Sequence, residues 1–360
     1  MDFINNREAR IMKRSILFIA TIAVLLLSPF RSLTSCPGAT APEGTITERL
    51  AEAVNVYLDG EFDSGLAITD ELLSRKNLAA GDSVAILEVK SVITYAKGQK
   101  YKREAFGYLQ KISNMGHCLM SFPREMWPSE LRDKWYEISK SKDMLVCRND
   151  AEPAARTIAI MEFDNFSVGE YKESLGDLSK GLADFFEFDF SKFGGVRIVE
   201  RDKLDYLLRE IKLSEEGKID PATAVKVGKM LGAQMMVFGS ITQLDGKNAR
   251  MVVRVVDVET SEIVTTADRE GKPNFVEMEK ALVKDIAGKL NLAFSKEAGA
   301  AIEESATDDM DAARLYSLGL KYMDEYEYEK AYDYFRRAYE KDNSFAEAKK
   351  KMEIYKPLVS

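Results

Sequence analysis

Histidine, cysteine and tryptophan are scarce in this chain. Its 360 residues include one histidine, three cysteines and two tryptophans. Zinc sites and triad-type hydrolases commonly use histidine together with cysteine or a carboxylate, so the scarcity disfavours both kinds of chemistry. The single histidine, His117, stands beside Cys118, and the side chains of sequence neighbours seldom face each other for a proton transfer. We therefore expect neither a cysteine–histidine pair nor a metal site.

The sequence also lacks the motifs that hold phosphates or expose a nucleophile. It contains no Gly-x4-Gly-Lys-Ser/Thr loop, no Gly-x-Ser-x-Gly turn and no His-Glu-x-x-His pattern. Glu162 and Asp164 flank Phe163 at the end of a predicted strand, and they could form an acid pair, but solvated carboxylates at strand ends are far more common. We predict a protein that is not an enzyme, with no catalytic residues and no cofactor.

Basic residues are fewer than acidic residues in this chain. The chain has 51 Lys and Arg against 59 Asp and Glu, a net charge of −8. Nucleic-acid-binding domains carry a basic face, so an acidic chain without a long basic run is expected to have no nucleic-acid partner. The same excess of acid favours a body that hangs from a membrane tether over one that lies flat on anionic lipid.

A long apolar run occurs near the N-terminus. Lys13 and Arg14 precede the apolar segment SILFIATIAVLLLSPF, which predicts a signal peptide over residues 1–35. The run is shorter than the roughly 20 residues that a membrane-spanning helix needs. An N-terminal anchor that is not removed is the alternative.

The signal ends in Leu33-Thr34-Ser35-Cys36, which resembles a bacterial lipobox. The resemblance implies that Cys36 is acylated and binds the lipid bilayer, and that residues 36–44 form a tether. Pro37, where related lipoproteins retained at the inner membrane have Asp, implies the periplasmic face of the outer membrane. An ordinary secreted protein with a chance cysteine is the alternative. In an exported chain Cys118 and Cys147 could pair as a disulfide, or remain buried thiols.

The rest of the chain divides into segments of different periodicity. A Thr45–Glu48 capping box opens a helical, tetratricopeptide-like domain over 45–147, and 148–155 is a linker. Residues 156–295 predict the order β-α-β-α-α-β-β-β-α, an α/β domain with a mixed sheet packed with helices. A second linker over 296–310 precedes helices over 311–357. The predicted fold class is therefore α/β, flanked by all-α segments.

Five phrases within residues 156–295 occur in an order that resembles a known family. They are TIAIMEFDN, a Gly-Gly turn, RIVERDKL, GKMLGAQMMVFGSI and VRVVDVETSEIV. Together they look like the periplasmic domain of the curli-secretion channel family (CsgG-like), with relatives among lipoprotein activators of peptidoglycan synthases. The family's channel crosses its membrane through long β-hairpins. The two connections that could host such hairpins here are short, so the resemblance implies the domain without its membrane-spanning parts.

The C-terminal segment resembles one tetratricopeptide repeat. The residues at the repeat's packing positions are Leu315, Leu318, Gly319, Tyr322, Tyr328, Ala331, Phe335 and Ala338. A single repeat cannot bury its apolar face alone. It must pack on another part of this chain, on a second copy or on a partner.

The charged triplet Glu200-Arg201-Asp202 follows a predicted strand directly. It could form a polar contact surface at a subunit interface. Alternatively, Asp202 caps the next helix and Arg201 pairs locally with an acid.

Together these features predict a membrane-anchored periplasmic lipoprotein that binds proteins of the cell envelope during assembly or secretion, with homo-oligomerisation possible. The alternatives are a subunit of an outer-membrane secretion channel and a lipoprotein activator of a cell-wall synthase.

Overall fold

In a computed structural model of the chain, the described residues are 44–116, 126–142, 156–210, 221–293 and 307–359, with residues 299 and 302. They divide into two compact units. The first contains residues 44–116 and 126–127, and the second contains the described residues from Pro128 onward. The predicted signal peptide, Cys36, Cys118 and Cys147 lie outside the described residues.

The first unit is helical. Its helices are α1 (Ile46–Leu58), α2 (Phe62–Ser74), α3 (Ala80–Ala96) and α4 (Lys102–Asn114), and each packs against the next. The predicted capping box is confirmed, because the Glu48 backbone N–H donates to Thr45 Oγ1 at 3.2 Å and the Thr45 N–H donates to the Glu48 carboxylate at 2.8 Å. Gly65 lets α2 approach α3 closely, since a Cβ there would lie 2.9 Å from Ile93 Cδ1.

The second unit is built around a six-stranded mixed sheet. Its strands are β1 (Arg156–Ile160), β2 (Asp164–Asn165), β3 (Val196–Ile198), β4 (Met235–Gln243), β5 (Ala249–Asp257) and β6 (Ile263–Gly271). The order is β3-β1-β4-β5-β6, and β2 pairs with β4. β1 runs parallel to β3 and β4, whereas β4, β5 and β6 are antiparallel. The predicted α/β class with a mixed sheet is confirmed.

The helices of the second unit are α5 (Ser129–Ser141), α6 (Glu170–Ser174), α7 (Leu178–Phe190), α8 (Arg201–Glu210), α9 (Pro221–Leu231), α10 (Phe275–Lys289), α11 (Met310–Asp324), α12 (Tyr328–Lys341) and α13 (Ala346–Tyr355). α7 and α10 share one apolar core with the sheet and with α11, α12 and α13. α9 packs on the opposite sheet face, where Gly228 faces Met236 and Val258.

Helix α5 belongs to the second unit. Helical periodicity groups this segment with the N-terminal helices, in a predicted domain over 45–147. In the structure α5 packs on α8, so the helices of 45–147 do not form one unit. The helical periodicity of α5 is the same in either environment, and its charged partners, described below, determine where it packs.

A bulge connects β1 to β2. Ile160 pairs with Val237 and Asp164 pairs with Ser240, so residues 161–163 face only two residues of β4. The extra residue turns Phe163 into the core, where its ring covers Gly239; a Cβ at position 239 would lie 2.1 Å from the ring. Beyond the bulge the chain continues beside β4.

Candidate functional site in the sheet unit

The C-terminal helices dock on the sheet unit through a close crossing of α11 and α7. A Cβ on Gly181 of α7 would lie only 1.9 Å from Ser317 Oγ of α11. Next to this contact the Tyr316 hydroxyl donates to the Asp184 carboxylate at 2.9 Å, and the Tyr316 ring stacks on Phe185 with centroids 5.6 Å apart. The C-terminal helices therefore bury apolar surface within this chain, and their assignment as a tetratricopeptide repeat stays a prediction.

The residues at the predicted repeat positions have two different environments. Gly319, Ala331, Phe335 and Ala338 are buried, and Leu315, Leu318, Tyr322 and Tyr328 are half-buried. Gly319 allows α12 to approach, since a Cβ there would lie 2.5 Å from the Phe335 ring. The residues of α11 that face α7 fall between these positions, so the repeat pattern gave no signal for them.

Gly181→Ala is expected to lower the free energy of unfolding of the second unit by about 1–2 kcal/mol, because the new methyl group overlaps the Ser317 hydroxyl. Urea unfolding measures the change. Adding Ser317→Ala removes the overlapping hydroxyl and should recover part of the loss. An effect of Gly181→Ala that Ser317→Ala leaves entirely unchanged would contradict the crossing described here.

A buried cluster of charged side chains lies next to this crossing, with Arg201 at its centre. Arg201 begins α8 and is 1% exposed. Its Nη1 lies 2.8 Å from Asp205 Oδ2 and 2.8 Å from Asp324 Oδ2, and its Nη2 lies 3.0 Å from Asp202 Oδ1. Asp324 is the last residue of α11, so one guanidinium joins α8 to the C-terminal helices.

Lys180 of α7 completes the cluster. Its Nζ lies 2.5 Å from Asp324 Oδ2, 3.4 Å from Asp205 Oδ2 and 2.8 Å from Glu162 Oε1. Lys180 and Arg201 thus both pair with Asp205 of α8 and Asp324 of α11. Lys180 also pairs with Glu162, which follows β1. We call Lys180, Arg201, Asp202, Asp205 and Asp324 the ion cluster.

The acids of the ion cluster respond differently to burial. Burial alone would raise the pKa of Asp324, but Arg201 and Lys180 outweigh it and hold the pKa of that carboxyl below its usual range. For Asp205 burial is the larger effect, and its pKa is raised although both cations are near. The neighbouring acids more than offset burial at Arg201 and raise the pKa of its guanidinium. This arrangement joins α7, α8 and α11 through shared ion pairs.

Polar contacts to the same region hold α5 in the second unit. The Arg132 side chain is fully buried, and its Nη1 lies 2.9 Å from Asp202 Oδ2. The Tyr136 hydroxyl donates to Glu200 Oε2 at 3.0 Å. The Tyr326 hydroxyl, from the turn after α11, donates to Asp133. Each contact joins residues far apart in sequence, which explains why periodicity alone placed α5 in the wrong unit.

The triplet Glu200-Arg201-Asp202 therefore points largely inward. Arg201 and Asp202 are 1% and 4% exposed and contact other helices of this chain. Arg201 does pair locally, with Asp205 one helical turn later. α8 begins at Arg201, so Asp202 lies inside the first turn and not before it. A role for the triplet at a subunit interface stays a prediction.

One part of the sheet exposes large apolar side chains. Phe166, Val168 and Leu244 are 53%, 49% and 63% exposed. The Phe166 N–H donates to the Ile241 carbonyl and the Val168 N–H to the Gln243 carbonyl, so this segment continues the pairing of β2 with β4. Strand alternation places the three residues on one face, opposite the face that packs on α7 and α10. We call this surface the open sheet face.

The open sheet face was not predicted. Polar and apolar residues alternate over 165–168, but the apolar Phe166 and Val168 are exposed and the polar Ser167 is buried, the reverse of the usual pattern of a half-buried strand. A two-residue strand after a bulge cannot be told from a loop by periodicity. Contiguous exposed apolar residues of this kind are typical of contact surfaces.

The described segments contain neither a candidate metal centre nor a candidate membrane-spanning helix. Among these residues no group of three or more histidine, cysteine, aspartate or glutamate side chains could hold a metal ion. The same segments contain no helix that is both long and apolar enough to cross a bilayer. Of the two carboxylates around Phe163, Glu162 contacts Lys180 at 2.8 Å and is part of an ion pair.

A family match covers the part of the sheet unit that holds these features. Residues 141–252 match the family described as Curli production assembly/transport component CsgG. This supports the predicted resemblance for that span. The matched span contains Arg201, Asp202, Phe166, Val168 and Leu244, so much of the ion cluster and the open sheet face lie within it. No curated protein matches the chain.

Several solved structures share similarity with about a third of the chain. The LpoB C-terminal domain from Salmonella enterica is 17% identical, over 37% of this chain and 91% of that domain, with a TM-score of 0.25. Lipoprotein GNA1162 from Neisseria meningitidis is 12% identical, over 38% and 98%, with a TM-score of 0.28. The hypothetical protein CT253 from Chlamydia trachomatis is 12% identical, over 38% and 96%, with a TM-score of 0.23.

Proposed function

We propose that this chain is a lipid-anchored periplasmic protein that binds other envelope proteins, as a non-enzymatic component of envelope assembly or secretion. The match of residues 141–252 to the curli production assembly/transport family carries the proposal. The signal sequence and Cys36 supply the membrane attachment, and Pro37 favours the periplasmic face of the outer membrane.

The geometry of the sheet unit favours binding over chemistry. Phe166, Val168 and Leu244 offer an apolar surface that a partner protein can bury, and burial of exposed apolar area is the main driving force of association. The ion cluster joins the C-terminal helices to the same unit, so these helices move with the sheet. Their packing on α7 supports a structural role for the predicted repeat, with its outer side left for contacts.

Two alternatives remain outcomes of experiment: a subunit of a secretion channel and an activator of a cell-wall synthase. The described connections after β4, β5 and β6 comprise residues 244–248, 258–262 and 272–274. We therefore propose an accessory role and not a pore formed by this chain. Light scattering of the full-length protein in mild detergent tests this, because a closed assembly of many copies would favour the channel, and a monomer or dimer would favour the adaptor.

The anchor is tested by labelling cells with a fatty-acid analogue. The wild-type chain should carry the label and begin at Cys36, because only an acylated cysteine at that position supplies the proposed attachment. Cys36→Ser should abolish the label and accumulate the uncleaved chain of 40.5 kDa. Cys118→Ser is the matched control and should be labelled like wild type. A labelled Cys36→Ser chain would contradict the proposal.

Partner binding is tested with a photo-crosslinking amino acid at Leu244 in cells. Crosslinks to an envelope protein are expected there, because Leu244 is the most exposed residue of the open sheet face. The same probe at Met251 is the control, since that residue is fully buried on the other face of the sheet. Equal yields at both positions would count against the open sheet face as a binding surface.

A further inference from the structure

The first unit separates its charges. Residues 97–111 contain five basic residues and one acid, in a chain whose net charge is −8. Residues 46–74, which form α1 and α2, contain one basic residue and seven acids. The whole-chain charge conceals this separation. One side of a small helical unit is therefore cationic and another is anionic.

The cations lie along α4 and the turn that precedes it. We call Lys97, Lys100, Lys102, Arg103 and Lys111 the basic strip. Lys100, Arg103 and Lys111 are exposed. Two aromatic rings support it: the Nζ atoms of Lys97 and Lys100 lie 4.7 and 4.9 Å from the centre of the Tyr101 ring, and that of Lys111 lies 5.0 Å from the Tyr108 ring. Such contacts hold the aliphatic stems while the charged ends stay in water.

The strip has few acids to neutralise it. Lys97 pairs with Asp63 at 2.5 Å. Lys100, Arg103 and Lys111 have no carboxylate within ion-pair distance in the described part of the chain. Glu104, the one acid among residues 97–111, accepts a hydrogen bond from the Tyr108 hydroxyl at 2.7 Å. Binding to an anionic surface lowers the electrostatic repulsion among neighbouring cations.

The tether allows this unit to reach a bilayer. Residues 36–44 connect the proposed acyl group to α1, and nine extended residues span about 30 Å. α1 has 13 residues, a length of about 20 Å. The acyl chains can therefore enter the same leaflet that the basic strip contacts, even when that strip lies at the far end of the helices.

We infer that the basic strip docks the first unit on anionic phospholipid headgroups, with the acidic α1 and α2 turned away from the membrane. The inference rests on the proposed lipid anchor. It differs from the expectation from net charge, in which the body hangs clear of anionic lipid. Charges more than a Debye length of about 8 Å from the membrane surface are screened. The electrostatic attraction to anionic lipid therefore depends on the cations near the surface and not on the distant acids.

Lysine acetylation footprinting tests the inference on the full acylated chain. The protein is placed in vesicles of phosphatidylcholine, with or without phosphatidylglycerol. Acetylation of Lys100 and Lys111 should slow roughly tenfold on the anionic vesicles and recover in about 1 M NaCl, where the Debye length is about 3 Å. Lys247 and Lys349, exposed in the second unit, are internal controls and should not change.

Charge-matched variants sharpen the test. Lys100→Gln, Arg103→Gln and Lys111→Gln combined should remove the protection of Lys97 and Lys102. Lys247→Gln, Lys272→Gln and Lys349→Gln combined remove the same charge from the second unit and should leave the protection intact. Equal labelling on both kinds of vesicle overturns the inference. Protection that grows with protein density on neutral vesicles also overturns it, and points to a second copy as the partner.

Failure of the anchor can be told apart from failure of the strip. A chain that does not attach to neutral vesicles lacks the anchor, which contradicts the proposed function. Sedimentation of that unanchored chain with phosphatidylglycerol vesicles then tests the strip directly. Salt-sensitive binding that the strip variant weakens roughly 100-fold supports the inference. No binding overturns it.

Discussion

Replacing Arg201 with methionine is expected to lower the free energy of unfolding of the second unit by about 3–5 kcal/mol. Methionine fills similar space but leaves Asp202, Asp205 and Asp324 buried without their shared cation. The loss arises because three acids then share only Lys180 and Arg132 as nearby cations. Urea unfolding followed by Trp135 fluorescence measures it, because that side chain is buried in α5 of the same unit.

Two further variants make this prediction specific. Arg250→Gln removes an exposed pair with Asp268, whose partners are each about half exposed, and should cost less than about 1 kcal/mol. Asp324→Asn added to Arg201→Met removes one of the stranded charges and should recover part of the loss. If Arg201→Met unfolds like wild type, the ion cluster does not hold the C-terminal helices.

Glu279→Gln is expected to stabilise the second unit at pH 8 by about 2 kcal/mol, because a buried charge no longer has to be removed from water. Glu279 of α10 is fully buried. Burial, followed by the nearby Asp189 of α7, raises the pKa of Glu279 well above its usual value, against the weaker effects of Lys280 and Lys284. Burial therefore favours the protonated form of this carboxyl in the folded protein.

The sign of the pH dependence follows from the raised pKa. The protonated carboxyl contributes its full stability below the ordinary pKa of glutamate, and this contribution is lost as the pH rises towards the raised value in the folded protein. Thermal unfolding at pH 5 and pH 8 should therefore show a gain for Glu279→Gln that shrinks at pH 5. Glu277→Gln, exposed on the same helix, is the control and should change little. A constant difference across this range would contradict the buried-acid account.

The ion cluster has a functional consequence. Its two cations, Lys180 of α7 and Arg201 of α8, both pair with Asp324 at the end of α11. The C-terminal helices are consequently held by buried polar contacts as well as by apolar packing. The outer sides of α12 and α13 therefore belong to the same unit as the open sheet face. A partner bound to those helices would be held in the same unit as that face.

Local patterns in the sequence predicted much of this architecture. The order of strands and helices over residues 156–295 predicted the α/β unit and its mixed sheet. The Thr45–Glu48 capping box is present as predicted. These features depend on residues close together in the chain, whose hydrogen bonds and periodicity are readable without a partner. The short β2 escaped prediction because the bulge before it interrupts the alternation.

What the sequence determined by itself was most of the helices and strands, the mixed-sheet class and the resemblance that the matched span supports. Only the tertiary structure decided that α5 packs with the sheet unit, that Arg201 is buried among α7, α8 and α11, and that Phe166, Val168 and Leu244 share an exposed face. Each of these depends on residues that are distant along the chain and meet only after folding. Burial, which changes both the pKa and the cost of a charge, is a property of that assembled environment and not of the residue.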